Sequence, residues 1–227
     1  LNFGVKTRAA IAVAVLAGYG ALSALVAAPD AAGAGPLTFE GNLAGYIDRQ
    51  FLPGKLIYGS FDPEGLLSTV PAVVTAMLGM FTGEFVRRGD IRGGRKTLWM
   101  AAAAAALLAV GLAFSGVLPV NKKLWSSTFV CVVGAYSLGM FALFYYLIDV
   151  RGWRRWPLFF RVVGLNSITI YLAQRIVGFG RISDFFLGGI ASKCPEAVAA
   201  VISSAGYVAV CWLFLYFLYR KNVFLKV

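Results

Sequence analysis

The strongest constraint on this chain is a series of apolar runs, each about as long as a membrane-spanning helix. A helix rises about 1.5 Å per residue, so roughly 20 apolar residues cross the hydrocarbon core of a bilayer. Six such runs cover residues 8–28, 66–86, 98–117, 125–148, 158–177 and 196–219. They are too long for strands and lack the strict alternation of a membrane barrel. The sequence therefore predicts an all-α integral membrane protein, a six-transmembrane-helix bundle forming a single membrane domain.

Composition supports the same class. Apolar residues make up 59% of the chain and charged residues 14%, whereas soluble domains are nearer one-half apolar and one-quarter charged. The first run is not a secretory signal, because it has no cleavage-site pattern and five more runs follow it.

The placement of Lys and Arg predicts the orientation. If the N-terminus is inside, the inner segments hold 14 of the 21 cations and three of the ten acids. An excess of Lys and Arg on the inner side is typical of membrane proteins, so we expect both termini to be cytoplasmic. The formal charge of +11 then reflects topology. With no aromatic–basic RNA-binding pattern, we expect a lipid bilayer and no nucleic acid as partner, in a cytoplasmic-type membrane.

Two outside segments interrupt the pattern of helices and short loops. The first, residues 29–65, is long for a simple connection. It contains an amphipathic stretch with Leu43, Ile47 and Phe51 at helical spacing, ended by Pro53 and a glycine. The second, residues 178–195, is predicted as a loop rich in Gly and Phe.

Few residues offer chemistry inside the predicted spans. The chain has no His, so no His-based metal site or catalytic triad is complete within it, and we expect no metal cofactor. The densest polar set is on the fifth run, where Asn166, Ser167 and Gln174 share one helical arc. Because amides are costly in lipid, this arc should face the bundle interior. It serves there either as interhelical glue or as a ligand-facing stripe.

The inner loops carry cations whose role has two interpretations. Arg87, Arg88, Arg154 and Arg155 are explained by ordinary positive-inside anchoring. They would also suit an anionic cytosolic ligand, such as the phosphates of a nucleotide carrier.

Four segments resemble the heparan-α-glucosaminide N-acetyltransferase family. They are residues 58–69 (YGSFDPEGLLST), 119–125 (PVNKKLW), 164–171 (GLNSITIY) and 219–227 (YRKNVFLKV). They occur in family order and cover the chain from about residue 43 to its end. The resemblance implies a transmembrane N-acyltransferase that takes acetyl from cytosolic acetyl-CoA to an amino sugar across the membrane. The family's catalytic histidine lies in its N-terminal half, so we expect this chain to be a C-terminal portion whose partner is a missing N-terminal half.

Acyl transfer to an amine needs a base, oxyanion donors and exclusion of water. We predict Asn166 as a catalytic amide donor, and Asp62 and Glu64 as acceptors for sugar hydroxyls or the amine. Asn121, Lys122 and Trp125 would form a second outer wall for the sugar. The four inner arginines would hold the phosphates of acetyl-CoA as co-substrate.

Alternatives remain for these residues and for the whole chain. Asp62-Pro-Glu-Gly also reads as a helix start, with Asp as N-cap and Pro at the first helical position. Residues 121–123 also read as a plain polar loop. Rival functions are a transporter or flippase of a sugar-containing substrate, favoured by intramembrane charges or broken helices, and a non-catalytic membrane scaffold. A homodimer is an open alternative to a monomer.

Overall fold

The computed structural model describes residues 3–154 and 156–225. In this part of the chain the regular elements are nine α-helices, one short π-helix and one isolated bridge between Ala27 and Asn42. The helices are α1 Val5–Leu25, α2 Leu43–Phe51, α3 Thr69–Arg87, α4 Gly93–Ala113, α5 Ser127–Tyr145, α6 Leu158–Leu165, α7 Ser167–Ile176, α8 Phe179–Ala191 and α9 Glu196–Arg220. A short π-helix, Tyr146–Val150, continues α5.

Five segments are single helices long and apolar enough to cross a membrane. They are α1, α3, α4, α5 with its π-helical end, and α9. Their bounds lie within a few residues of five of the six predicted runs. Most of their surface is exposed, which suits contact with lipid. The protein is therefore an all-helical membrane protein, while the cytoplasmic position of its ends stays a prediction.

The fifth predicted span is not one helix. The run at 158–177 forms α6 and α7, which break at Asn166. Asn166 has φ −130° and ψ 32°, outside the helical region, and serves as C-cap of α6 and N-cap of α7. Asn disfavours helix interiors because its short amide competes with backbone hydrogen bonds. The predicted count of six continuous spans is therefore not confirmed among the described residues.

The second outside segment is also different from its prediction. Residues 178–195 were predicted as a loop, yet most of them form α8, which packs along α9. Gly206 of α9 faces Ser183 of α8, and a side-chain carbon at Gly206 would collide with that hydroxyl. The missing side chain lets the two helices approach closely.

The chain divides into two compact units, one ending at Arg151 and the other beginning at Gly152. In the first unit α4 packs mainly on α5, and α1 packs on α3. Its core includes Ala12, Val74 and Val130. Arg8 of α1 and Glu84 of α3 form a two-pronged ion pair with N–O distances of 2.7 and 2.9 Å, which joins these helices at the end predicted to be cytoplasmic.

In the second unit α9 contacts both α6 and α8. Its apolar core centres on Ala173, Phe179 and Cys211. The indole of Trp212 on α9 donates to the carbonyl of Phe159 on α6 at 3.2 Å, and the two rings stack.

Candidate functional site

The outer loop of the first unit is an ordered structure built around α2. Asn42 caps this helix, because its side-chain oxygen accepts from the Gly45 N–H at 2.6 Å. The predicted amphipathic helix is confirmed, but its apolar stripe is not its buried face. Phe51 is exposed, whereas Ala44 and Asp48 are buried.

Asp48 is the organising residue of this loop. Its side chain is fully buried. One carboxyl oxygen accepts from the Asp62 N–H at 3.2 Å and the other from the Leu66 N–H at 3.0 Å. Burial raises the pKa of the Asp48 carboxyl, against the lowering effect of these two N–H groups. Asp48 therefore fixes the backbone of the turn that carries the predicted sugar-binding acids.

Asp62 and Glu64 lie in that turn, before the helix they were expected to start. Helix α3 begins at Thr69, so the interpretation of Asp62 as its N-cap is wrong. Instead Asp62 closes a tight Asx turn by accepting from the Glu64 N–H at 2.9 Å, and it also accepts from the Ile57 N–H at 3.3 Å. Glu64 is exposed, so its carboxylate is open to a ligand.

Asn121, Lys122 and Trp125 precede α5 in a second turn of the first unit. The Asn121 side-chain oxygen accepts from the Lys123 N–H at 2.9 Å. Lys122 is exposed. Trp125 has a left-handed backbone with φ 50°, and its indole donates to the Thr75 hydroxyl of α3 at 3.2 Å. Its ring packs against the apolar core of this unit, so Trp125 also has a structural role.

Lys123, which the sequence analysis did not select, connects the two turns. Its ammonium lies 4.4 Å from the ring centroid of Tyr58 and 5.4 Å from that of Phe39. These rings form an aromatic cluster with Phe61. The contact places the acid-bearing turn and the turn at residues 121–125 at the same end of the first unit. The five residues predicted for the sugar site thus lie at one end of this unit: Asp62, Glu64, Asn121, Lys122 and Trp125.

The inner arginines have different environments. Arg87 is in the last turn of α3. Arg88 pairs with Asp90 at 2.7 Å, and this guanidinium holds the pKa of Asp90 below its usual range. A nearby lysine that the sequence analysis left aside, Lys96, is buried and donates to the Val86 carbonyl at 2.6 Å. It neutralises the C-terminal end of α3.

The remaining two predicted arginines lie beyond the first unit. Arg154 is exposed in the second unit, and Arg155 lies outside the described residues. Among the described residues, no group of three His, Cys, Asp or Glu side chains could hold a metal ion.

Asn166 is almost completely buried in the second unit, at the break between α6 and α7. Its amide nitrogen donates to the Val223 carbonyl at 3.2 Å, and its oxygen accepts from the Thr169 hydroxyl at 3.3 Å. One N–H of the amide therefore holds the segment after α9, while the other bonds to none of the described residues. Asn166 can still offer one donor to a ligand.

Two known proteins are similar in sequence to this chain. No protein-family model matches the chain. The human heparan-alpha-glucosaminide N-acetyltransferase is 30% identical over 209 residues, and its mouse counterpart is 28% identical over 206 residues. Each match covers 82% of this chain and 30% of the relative, so the chain spans about a third of the length of these relatives. Over most of its length, this integral membrane protein is thus similar to part of heparan-alpha-glucosaminide N-acetyltransferase.

Proposed function

We propose that this chain is part of a transmembrane N-acetyltransferase that moves acetyl from cytosolic acetyl-CoA to the amine of an amino sugar. In this reaction the amine nitrogen attacks the thioester carbonyl, the carbon–sulfur bond breaks, and coenzyme A leaves as a thiol. The amine must lose a proton, and the tetrahedral intermediate needs hydrogen-bond donors for its oxyanion. The chain supplies polar groups suited to several of these tasks.

The outer end of the first unit supplies the amino-sugar site in this proposal. Glu64 offers an exposed carboxylate for the sugar ammonium, and Asp62 keeps lone pairs beyond the two used by backbone N–H groups. Lys122 and Asn121 form the opposite side of the site. The observation that carries the proposal is the Lys123 contact with Tyr58 and Phe39, because it joins the two turns that carry the predicted sugar-site residues.

The inner side supplies the donor site. Of the arginines predicted for this role, Arg88 is already neutralised by Asp90, whereas Arg87 and Arg154 each form no ion pair among the described residues. Asn166 supplies a buried amide N–H for the developing oxyanion. The 227 residues contain no histidine, and we propose that the base comes from outside them, in a longer protein located in a bacterial inner membrane.

The acceptor site is tested by removing single charges. Glu64→Gln should raise the KM for the amino sugar by roughly 10–100-fold, the value of a hydrogen bond to a charged group, with the KM for acetyl-CoA unchanged. Glu40→Gln is the matched control, since Glu40 is an exposed acid of the same outer loop. Equal KM values for Glu64→Gln and the control would exclude Glu64 from the sugar site.

A sugar transporter or flippase remains a second candidate because of the helix break at Asn166. Discontinuous helices with polar groups at the break are typical of transporter binding sites. Movement of unmodified sugar across the membrane, without an acetylated product, would favour this function over acetyl transfer.

A further inference from the structure

A cleft of about 630 Å³ opens in the second unit between α6 and the end of α9. This volume is in the range of small-molecule sites. Arg161, Gly164 and Leu165 of α6 line one side, and Tyr219 and Arg220 of α9 line the other, with Asn222 and Phe224 completing the wall. None of the lining residues is acidic. The proposed acceptor site, which lies in the first unit, does not include these residues.

The end of α9 is shaped to form one wall of the cleft. Asn222 adopts the left-handed conformation, with φ 54°. Its N–H donates to the Tyr219 carbonyl, and the Val223 N–H donates to the Leu218 carbonyl. These two bonds make a Schellman motif, which ends the helix and turns the chain back. Phe224 then lies edge-on against Tyr219, with 6.2 Å between ring centroids.

Asn166 fixes this wall to the rest of the second unit. Its amide donates to the carbonyl of Val223, between the two residues that complete the cleft wall. The cleft wall is therefore held by a buried side chain and a helix-capping motif.

The cleft carries positive charge, and its two arginines form no ion pair with any residue that the structure describes. The Arg161 guanidinium lies 5.9 Å from the Tyr219 ring centroid, and the Arg220 guanidinium donates to the Tyr216 hydroxyl at 3.4 Å. The helix dipole explains a cation at the end of α9. It does not explain Arg161, which projects from a different helix into the same cleft.

We propose that this cleft binds the nucleotide part of a phosphorylated carrier, with Arg161 and Arg220 on its phosphates and Tyr219 and Phe224 beside its base. Guanidinium groups suit phosphate oxygens, and aromatic side chains suit a planar base. The proposal rests on the proposed function, in which coenzyme A delivers the acetyl group. It moves the donor phosphates from the predicted inner-loop arginines to this cleft.

Binding of coenzyme A to the purified protein in phosphatidylcholine nanodiscs tests the proposal, measured by calorimetry. Arg161→Gln with Arg220→Gln should weaken coenzyme A and 3′,5′-ADP by at least tenfold, while pantetheine, which lacks the nucleotide, should not bind measurably. Arg175→Gln is the matched control, because Arg175 lies over Tyr171 at the same 5.9 Å but away from the cleft. Its affinity should equal that of the unchanged protein.

A second pair of variants tests the same site by filling it. A side-chain carbon at Gly164 or at Gly189 meets nothing within 4 Å, so both positions have room for the start of a side chain, and the Gly189 variant reports any general effect of leucine on folding. Gly164→Leu should block coenzyme A, and Gly189→Leu on α8 should not.

Three results would overturn the proposal. Unchanged coenzyme A affinity in both cleft variants would refute the cleft and leave the acetyl donor of the proposed function intact. Absence of coenzyme A binding to the unchanged protein would refute it as well. Loss of co-purified phosphatidylglycerol from the double variant, with no binding of 3′,5′-ADP, would assign the cleft to an anionic lipid. Conversely, cleft-dependent binding without acetyl transfer would support the nucleotide site and refute the acetyltransferase.

Discussion

The side-chain amide of Asn166 donates to the backbone carbonyl of Val223 across 3.2 Å. This bond joins the break between two short helices to the segment that follows the last span. Through this bond Asn166 stabilises the fold of the second unit. The second N–H of its amide remains able to donate a hydrogen bond to the oxyanion of the reaction.

The two tasks of Asn166 differ in magnitude. A hydrogen bond between membrane helices is worth on average about 0.6 kcal/mol, whereas a donor to a developing oxyanion is worth about 3–4 kcal/mol. Asn166→Leu should therefore lower turnover at least about tenfold with only a small fall in melting temperature in detergent. Thr169→Val removes the other partner of Asn166 and should leave turnover nearly unchanged. A sharp loss of stability with normal turnover in the folded fraction would make Asn166 purely structural.

Asp48→Asn should loosen the outer loop. The amide nitrogen of Asn cannot accept a hydrogen bond, so the N–H of Asp62 or Leu66 loses its partner, at a cost of about 1–3 kcal/mol. This loss should appear as a lower melting temperature and faster amide exchange at residues 62–66.

The pH dependence of stability provides an independent check on Asp48. Burial raises its pKa in the folded protein, so the ionised form is penalised by folding. Its contribution to stability is full below the ordinary carboxyl pKa of about 3.9 and declines as pH rises through the raised pKa. The Asn variant should lack this decline. The same slope in both proteins would contradict the assignment.

Gly206→Ala should destabilise the second unit. The added methyl would collide with Ser183 and Leu187 of α8, and such overpacking costs about 1–3 kcal/mol. Ser183→Ala should be neutral or stabilising, because the buried Ser183 hydroxyl has no hydrogen-bond partner. Gly180→Ala is the control, since its added carbon meets nothing. Equal melting temperatures for Gly206→Ala and Gly180→Ala would contradict the close packing of α8 on α9.

The orientation is tested by labelling one cysteine. Cys131 and Cys211 are buried, and Cys194 is partly exposed, so a membrane-impermeant thiol reagent should report mainly on Cys194. The split of cations predicts that Cys194 is outside and that Val227, which lies beyond the described residues, is inside. Labelling of Cys194 only after permeabilisation would reverse the orientation.

Apolar length predicted five spans well because a lipid-facing helix needs little beyond length and hydrophobicity. The break at Asn166 was not predictable in the same way, since the apolar run at 158–177 continues through it. Helix α8 was missed because Gly188 and Gly189 are typical of loops. Its amphipathic side packs on α9, and this tertiary contact overrides the low helix propensity of glycine.

The acidic turn and the turn at residues 121–125 could both be selected from the sequence. The contacts that fix them, made by Asp48 and Lys123, could not. Which of two consecutive lysines faces the aromatic cluster depends on the turn that ends with the left-handed Trp125. Burial of Asp48 depends on the path of the outer loop around α2. The cleft at Arg161 and Arg220 lies between α6 and α9, which are far apart in the sequence. The spacing of these residues along the chain therefore did not predict the cleft.

Acetyl transfer across a membrane tests the central claim most directly. The protein from the complete reading frame that contains these residues is placed in liposomes with glucosamine inside, and radiolabelled acetyl-CoA is added outside. We predict that labelled N-acetylglucosamine accumulates inside, and that the 227-residue chain alone forms none. Labelled product from the short chain alone would contradict the proposal that the base lies outside it. No labelled product from the complete protein, with glucosamine itself crossing the membrane, would contradict acetyl transfer and identify a transporter.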